Sequence, residues 1–167
     1  MTTVHTHHPS PLGELLLTGS LSPAGLTLTS LSPPGRRGAP AVRAEGRADR
    51  PFAEVHRQLD AYFAGRLTRF DLPLTAAGTT FQQAVWQALE DIPYGTTTTY
   101  GELTARLGLP RARTQAVGRA LGANPHLLIR PCHRVLGADG SLRGYAAGGD
   151  TKLWLLTHEG ALRPALI

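Results

Sequence analysis

One cysteine, Cys132, in a chain of 167 residues means the fold must hold together without disulfide staples. No internal disulfide can form, and a zinc site built on several cysteines is excluded. With 41% apolar side chains, a chain of this length can bury a real core, as one compact domain or as two small ones packed together. Cys132 is then either a small buried apolar residue or a working thiol. No apolar run reaches the roughly 18 residues that suggest a membrane span. The opening MTTVHTHHPS also lacks the basic-then-apolar order of a secretory signal. These features point to a soluble, cytoplasmic protein with no membrane partner.

Apolar spacing divides the chain. LGELLLTGS and GLTLTSL, joined by LSPA, predict a hairpin, and residues 32–50 predict a mobile surface loop of prolines, glycines and scattered charge. Phe52, Val55, Leu59 and Tyr62 or Phe63 recur at helical spacing up to Gly65, and LTRFDLPL is expected to be a strand. TAAGTT, short and polar, marks a boundary between an N-terminal unit over residues 1–77 and a C-terminal one over 78–167. The fold class that follows is α/β (α+β).

The second unit reads as mainly helical. Thr80 and Gln83 have the form of a capping box, ahead of a stripe of Phe81, Val85 and Leu89. Thr99 and Glu102 form a second box opening a short helix that stops at Gly108 and Pro110, and a third helix lies within RARTQAVGRALG. Two short helices around a Gly-containing turn suggest a helix-turn-helix. Val117 and Leu121 would pack inward, while Ala112, Ala116, Gly118 and Ala120 would face outward among Arg111, Arg113 and Arg119. GADGSLRGY reads as a tight turn. GGDTKLWLLTHEG reads as a closing helix capped by Asp150, packed through Leu153, Trp154 and Leu156, and ended by Gly160.

Charge is concentrated in the same region. From Tyr100 to Tyr145 seven arginines face only Glu102 and Asp139, so this segment carries the whole formal excess of +5. Such a field attracts phosphate backbones, although a solvated basic face has the same composition.

Cys132 sits inside that field, after an apolar strand LLIR and beside His133. A thiol acts as a nucleophile in its thiolate form, which needs a base or a positive field nearby. Neighbouring side chains on an extended backbone point apart, so proton transfer between Cys132 and His133 calls for a bend or a bridging water. Glu159 is a candidate to orient that histidine. A packed core cysteine next to a satisfied histidine remains the bland alternative.

The longer string NPHLLIRPCHRVLGADGSLRGYAAG, with IPYGTTTTYGEL before it and KLWLLTHEG after it, resembles the O6-alkylguanine-DNA alkyltransferase family. The likeness is strong after residue 79 and weaker before it. It implies a ribonuclease-H-like N-terminal α/β domain packed on a winged helix-turn-helix-like domain. It also implies a single-use repair reaction without a cofactor or metal, in which the alkyl group of O6-alkylguanine passes to Cys132, with O4-alkylthymine as a further substrate.

By the same resemblance His133 is the base acting through water, Glu159 orients it, Asn124 braces the turn ahead of the thiol, and Tyr100 approaches the flipped guanine. Val135 and Cys132 offer backbone to the guanine edge, Tyr145 and Ala146 form the other wall, and Arg134 pins the loop. Ala116 lies on the helix that would enter the minor groove of double-stranded DNA. Gln115 stands where many relatives carry an arginine that fills the vacated stack, so either Gln115 suffices or a neighbour such as Arg113 or Arg119 takes over. Ala146 replaces a serine found in some relatives. HTHH at residues 5–8 is expected to be a frayed terminus rather than a metal site. The protein is expected to act as a monomer or to assemble cooperatively on DNA. The rival readings are a non-enzymatic binder of alkylated guanine, a cysteine hydrolase and a winged-helix regulator.

Overall fold

The computed structural model describes residues 1–142 and 144–162. Its chain divides into two compact units, Met1–Ala77 and Gly78–Ile167. Among the described residues no helix is long and apolar enough to cross a membrane, and no group of three or more His, Cys, Asp or Glu side chains is placed to hold a metal ion.

The first unit is built on three antiparallel strands in sequence order, β1 (Thr2–Ser10), β2 (Gly13–Ser22) and β3 (Gly25–Ser32). The expected hairpin is therefore only two-thirds of the sheet. HTHH is not frayed: it lies within β1, with His5 and His8 buried. His8 Nδ1 is 2.7 Å from His56 Nδ1, and its Nε2 is 3.0 Å from Asp60. Alternation in β1 is carried by Val4, Thr6 and His8, polar types that conceal a strand from a hydrophobicity pattern. Burial pushes the His8 pKa down, against the opposing pull of Asp60.

Helix α1 (Ala53–Phe63) follows a 3-10 turn at Arg50–Phe52 and buries Phe52, Val55, Leu59 and Tyr62. Gly65, at φ 77°, ends it, because the left-handed region is open to glycine without a Cβ clash. LTRFDLPL forms no strand and touches the sheet through an isolated bridge from Leu74 to Leu28. Leu28 N–H donates to Pro73 O at 2.8 Å and Thr75 N–H to Leu28 O at 3.0 Å. The loop after β3 is mostly exposed but is tied back where Ala48 N–H donates to His5 O at 2.9 Å.

The second unit holds helices α2 (Thr80–Ala88), α3 (Tyr100–Arg106), α4 (Thr114–Gly122) and α5 (Gly149–His158). Two two-residue strands, β4 (Thr98–Thr99) and β5 (Val135–Leu136), pair in parallel. Helix α2 packs on α4, where Trp86 Nε1–H donates to Ala120 O at 2.7 Å inside the core of Val85, Leu89, Val117 and Leu121. This buries Ala120, which the helical wheel placed outside.

The capping box is formed by Thr79 and Gln82, one residue earlier than the sequence suggested: Gln82 N–H donates to Thr79 Oγ1 and Thr79 N–H to Gln82 Oε1, both at 3.0 Å. Two threonines and two glutamines in succession leave that register ambiguous. The second box is half made. Glu102 N–H donates to Thr99 Oγ1, but the Glu102 carboxylate accepts from Thr98 instead.

On α5 the buried positions are Lys152, Leu155 and Leu156. Leu153 is 44% exposed and Trp154 half-buried, stacked on His158. Asp150 lies inside the first turn and the cap position is Gly148, so no side chain caps this helix. Arg143, within the predicted tight turn, lies outside the described residues; around it Ser141 N–H donates to Asp139 and Gly137 N–H to Ser141 O.

Thr79→Ala should lower unfolding stability by about 1 kcal/mol in urea titration, and Thr80→Ala by less than about 0.5. Equal losses would contradict the assigned cap.

Candidate active site

Cys132 is placed by the turn before it. Asn124, fully buried, accepts from His126 N–H at 3.0 Å and donates through Nδ2 to Arg130 O at 2.9 Å, clamping both ends of the 126–130 segment. That segment is not the apolar strand its composition suggested. Arg130 N–H donates to His126 O at 3.0 Å, and Leu128 adopts φ 74°, a left-handed value uncommon for leucine. The bend lets Leu127, Leu128 and Ile129 all be buried, which alternation along a strand would not.

Cys132–Arg134 then form a single 3-10 turn, and Val135 continues as β5. The cysteine and histidine are therefore on a curved backbone, the bend that proton transfer between neighbours requires. Pairing of β5 with β4 brings Tyr100, the first residue of α3, beside this turn.

His133 has no exposed surface. Its Nε2 lies 2.9 Å from Glu159 Oε2. Arg134 grips the same carboxylate through Nε (2.8 Å to Oε1) and Nη2 (3.1 Å to Oε2), and its Nη1 donates to Ile92 O at 2.6 Å. Burial alone would push the Glu159 carboxyl up, but the hydrogen bonds and charges of His133 and Arg134 outweigh it and hold the pKa at about 2. An ionised carboxylate only accepts, so Nε2 of His133 carries the hydrogen. Nδ1 is left as a buried acceptor that no protein group fills. Burial lowers the His133 pKa despite Glu159, with Arg134 and Lys152 adding to the fall, so the ring rests neutral.

Around this core, Tyr145 is buried with its ring edge-on to His133 at 6.5 Å, Ala146 and Val135 are buried, and the Tyr100 hydroxyl lies against Gly144, where an added Cβ would approach to 2.9 Å. Lys152 was not singled out from the sequence. Its Nζ donates to Val135 O at 2.6 Å, and it is 1% exposed. A lysine within KLWLL reads as the solvated edge of an amphipathic helix, and its only signal was its rarity.

The remaining predicted residues lie on or beside α4. Gln115, Arg113 and Arg119 are exposed, and Ala116 is half-buried. The Arg113 guanidinium stacks 4.9 Å above the Phe81 ring, and Phe81, Arg113, Ala116 and Arg119 line a shallow hollow of about 430 Å³. Gly118 faces the Tyr100 ring. The structure thus gathers Cys132, His133, Arg134, Val135, Glu159, Tyr100, Tyr145 and Lys152 around one turn, with the arginine-bearing face of α4 distinct from it.

Comparison with known proteins covers both units. The model described as "6-O-methylguanine DNA methyltransferase, DNA binding domain" matches residues 80–161, and the one described as "6-O-methylguanine DNA methyltransferase, ribonuclease-like domain" matches 3–76. The chain is 48% identical to a methylated-DNA–protein-cysteine methyltransferase of Methanosarcina barkeri, over 90% of this chain and 92% of that one. It is 47% identical to the protein of the same name from Mycobacterium leprae, over 90% and 88%. Among solved structures, Mycobacterium tuberculosis O6-methylguanine methyltransferase superposes with a TM-score of 0.82 at 41% identity, covering 98% and 96% of the two chains. The M. tuberculosis OGT in complex with DNA gives 0.83 at 41% identity, covering 96% and 94%.

Two ionisations tie the stability of this site to pH. Glu159 has a depressed folded pKa, so its contribution is complete above about pH 4.5 and is lost as pH falls towards about 2. His133, also depressed, contributes above its ordinary pKa near 6.5 and loses that contribution as acid charges the unfolded ring first. Glu159→Gln should cost about 3–5 kcal/mol at pH 7, since it strands Arg134, and should flatten the acid limb of the stability profile. Urea titrations of both proteins from about pH 3 to 8 test this; parallel profiles would contradict it.

Proposed function

Because this chain belongs to the 6-O-methylguanine DNA methyltransferase family, we propose that it repairs DNA by direct reversal, moving the alkyl group of O6-alkylguanine irreversibly onto its own Cys132. The observation that carries the reading is the buried Glu159–His133 pair on the turn that bears the chain's only thiol.

In this mechanism the Cys132 proton passes through a bridging water to Nδ1 of His133, the acceptor left open by the Nε2 bond to Glu159. The thiolate attacks the alkyl carbon, a carbon–sulfur bond forms, and the carbon–O6 bond breaks with its electron pair going to guanine. Tyr100 donates its hydroxyl hydrogen towards the base as that charge develops. Glu159 steadies the imidazolium formed in passing, and Arg134 keeps the carboxylate in place. A thioether is a poor leaving group, so each molecule acts once and needs no cofactor.

The partner is double-stranded DNA. The target atom cannot be reached inside the stack, so the nucleotide is flipped into the space bounded by Val135, Tyr145 and Ala146, and a damaged pair costs less to open. The arginine-bearing face of α4 meets the minor groove, where Ala116 permits close approach. Arg113 is partly committed to Phe81, so Arg119 and Gln115 are the side chains best placed to enter the duplex. Its place of work is the cytoplasm, on the DNA held there, as a monomer or a cooperative assembly.

Intact-protein mass spectrometry after mixing with a duplex containing O6-methylguanine should show a gain of one methyl group on the native protein and none on Cys132→Ala. Tight binding to the lesion with no mass gain would instead indicate a non-enzymatic binder, and the same assay on an O4-methylthymine duplex tests the second substrate. Gln115→Arg should tighten DNA binding or speed transfer, since an arginine adds charge and a stacking plane; unchanged affinity and rate would remove that role from position 115.

A further inference from the structure

Cys132 lies midway between two arginines, Arg130 and Arg134, and both reach the same place. The 3-10 turn Leu89–Asp91 continues α2 and runs into Ile92. From two residues after the thiol, Arg134 Nη1 donates to Ile92 O at 2.6 Å. From two residues before it, Arg130 Nε lies 3.4 Å from Glu90 Oε2. The thiol segment is therefore tied on both sides to one short turn.

The two ties differ in kind. Arg134 is sealed in by its bonds to Glu159 as well as to Ile92. The Arg130 side chain is 13% exposed, while the Glu90 side chain is 41% exposed. Nε and Nη1 of Arg130 are shielded from water and make no hydrogen bond among the described residues. An ion pair between open side chains is worth little, but a guanidinium with this little water depends on the carboxylate beside it. Without the Glu90 charge the side chain gains by turning out to solvent. That motion pulls on a backbone the thiol depends on. The Arg130 carbonyl accepts from Cys132 N–H at 2.8 Å and from Asn124 Nδ2 at 2.9 Å, and its N–H donates to His126 O at 3.0 Å.

We propose that the Arg130–Glu90 pair is the second tie of the nucleophile turn, with Arg130 a positioning residue that acts on the sulfur through its own carbonyl. This rests on Cys132 being the alkyl acceptor. The sulfur must meet the alkyl carbon at attack distance and angle, so the pair contributes to the rate of transfer and not to the hold on DNA. It touches neither His133 nor Glu159, so the protonation of the site does not depend on it.

Single-turnover methyl transfer from an O6-methylguanine duplex, followed against DNA concentration, separates rate from binding. Glu90→Gln, at an exposed position, should lower the saturating rate by about five- to tenfold with the half-saturating DNA concentration and the midpoint of the pH profile unmoved. In an Arg130→Met background the same change should cost nothing further, because the guanidinium that needed the carboxylate is gone. An unchanged saturating rate, a loss carried by the half-saturating concentration, or equal slowing in both backgrounds would each overturn the proposal. If Arg130→Met does not fold, the split between rate and binding in Glu90→Gln decides. Native protein that transfers nothing sinks the repair reading, and the tie is then judged on the thiol without DNA. Cys132 is 6% exposed, and Glu90→Gln should speed its labelling by iodoacetamide by about threefold as the turn loosens, whereas an equal labelling rate overturns the tie.

Discussion

One carboxylate organises the turn that carries the thiol. Glu159 stands at the C-terminal end of α5, where the helix dipole is unfavourable to negative charge, and it is buried as well. It is stable there only because His133 and Arg134 both bond to it. The dependence is mutual, since Arg134 reaches on to Ile92 O and so fixes the 3-10 turn against the end of the α2 region. An uncharged residue at 159 would leave a buried guanidinium and an imidazole with no fixed tautomer.

The other constraints on the turn are backbone ones. Asn124 supplies from its side chain the bonds that a strand would have made, and Leu128 accepts a left-handed conformation so that three consecutive apolar side chains reach the core. The short β4–β5 pairing then sets the distance between the start of α3 and the thiol. A site assembled from a turn, two helix ends and a two-residue ladder owes its rigidity to buried polar bonds more than to apolar area.

Much of this was legible in the sequence. The helices of the second unit follow from the spacing of Val85, Leu89, Val117 and Leu121, and residue type made Cys132, His133 and Glu159 candidates, but only the family resemblance of the longer string joined them into one site. What escaped did so for definable reasons. Strand β1 alternates through histidine and threonine rather than aliphatic residues, so its pattern resembles a polar terminus. LLIR looks like a strand because nothing in a run of apolar residues announces a positive φ at Leu128. The cap at Thr79 differs from Thr80 by a choice of register that local chemistry leaves open. Ala120 falls inside because Trp86 needs its carbonyl, a bond made across 34 residues. Lys152 was hidden by the habit of lysine, which usually extends into water.

The burial of Lys152 also changes what the outside of the molecule offers. With Lys152 the chain's one lysine, the folded surface presents no lysine amine to acylating reagents or to enzymes that modify lysine. Acylation of the ε-amine therefore requires the C-terminal unit to open. An amine-reactive label at this one position would record how often the region around the thiol breathes, and the molecule carries that reporter without any engineering.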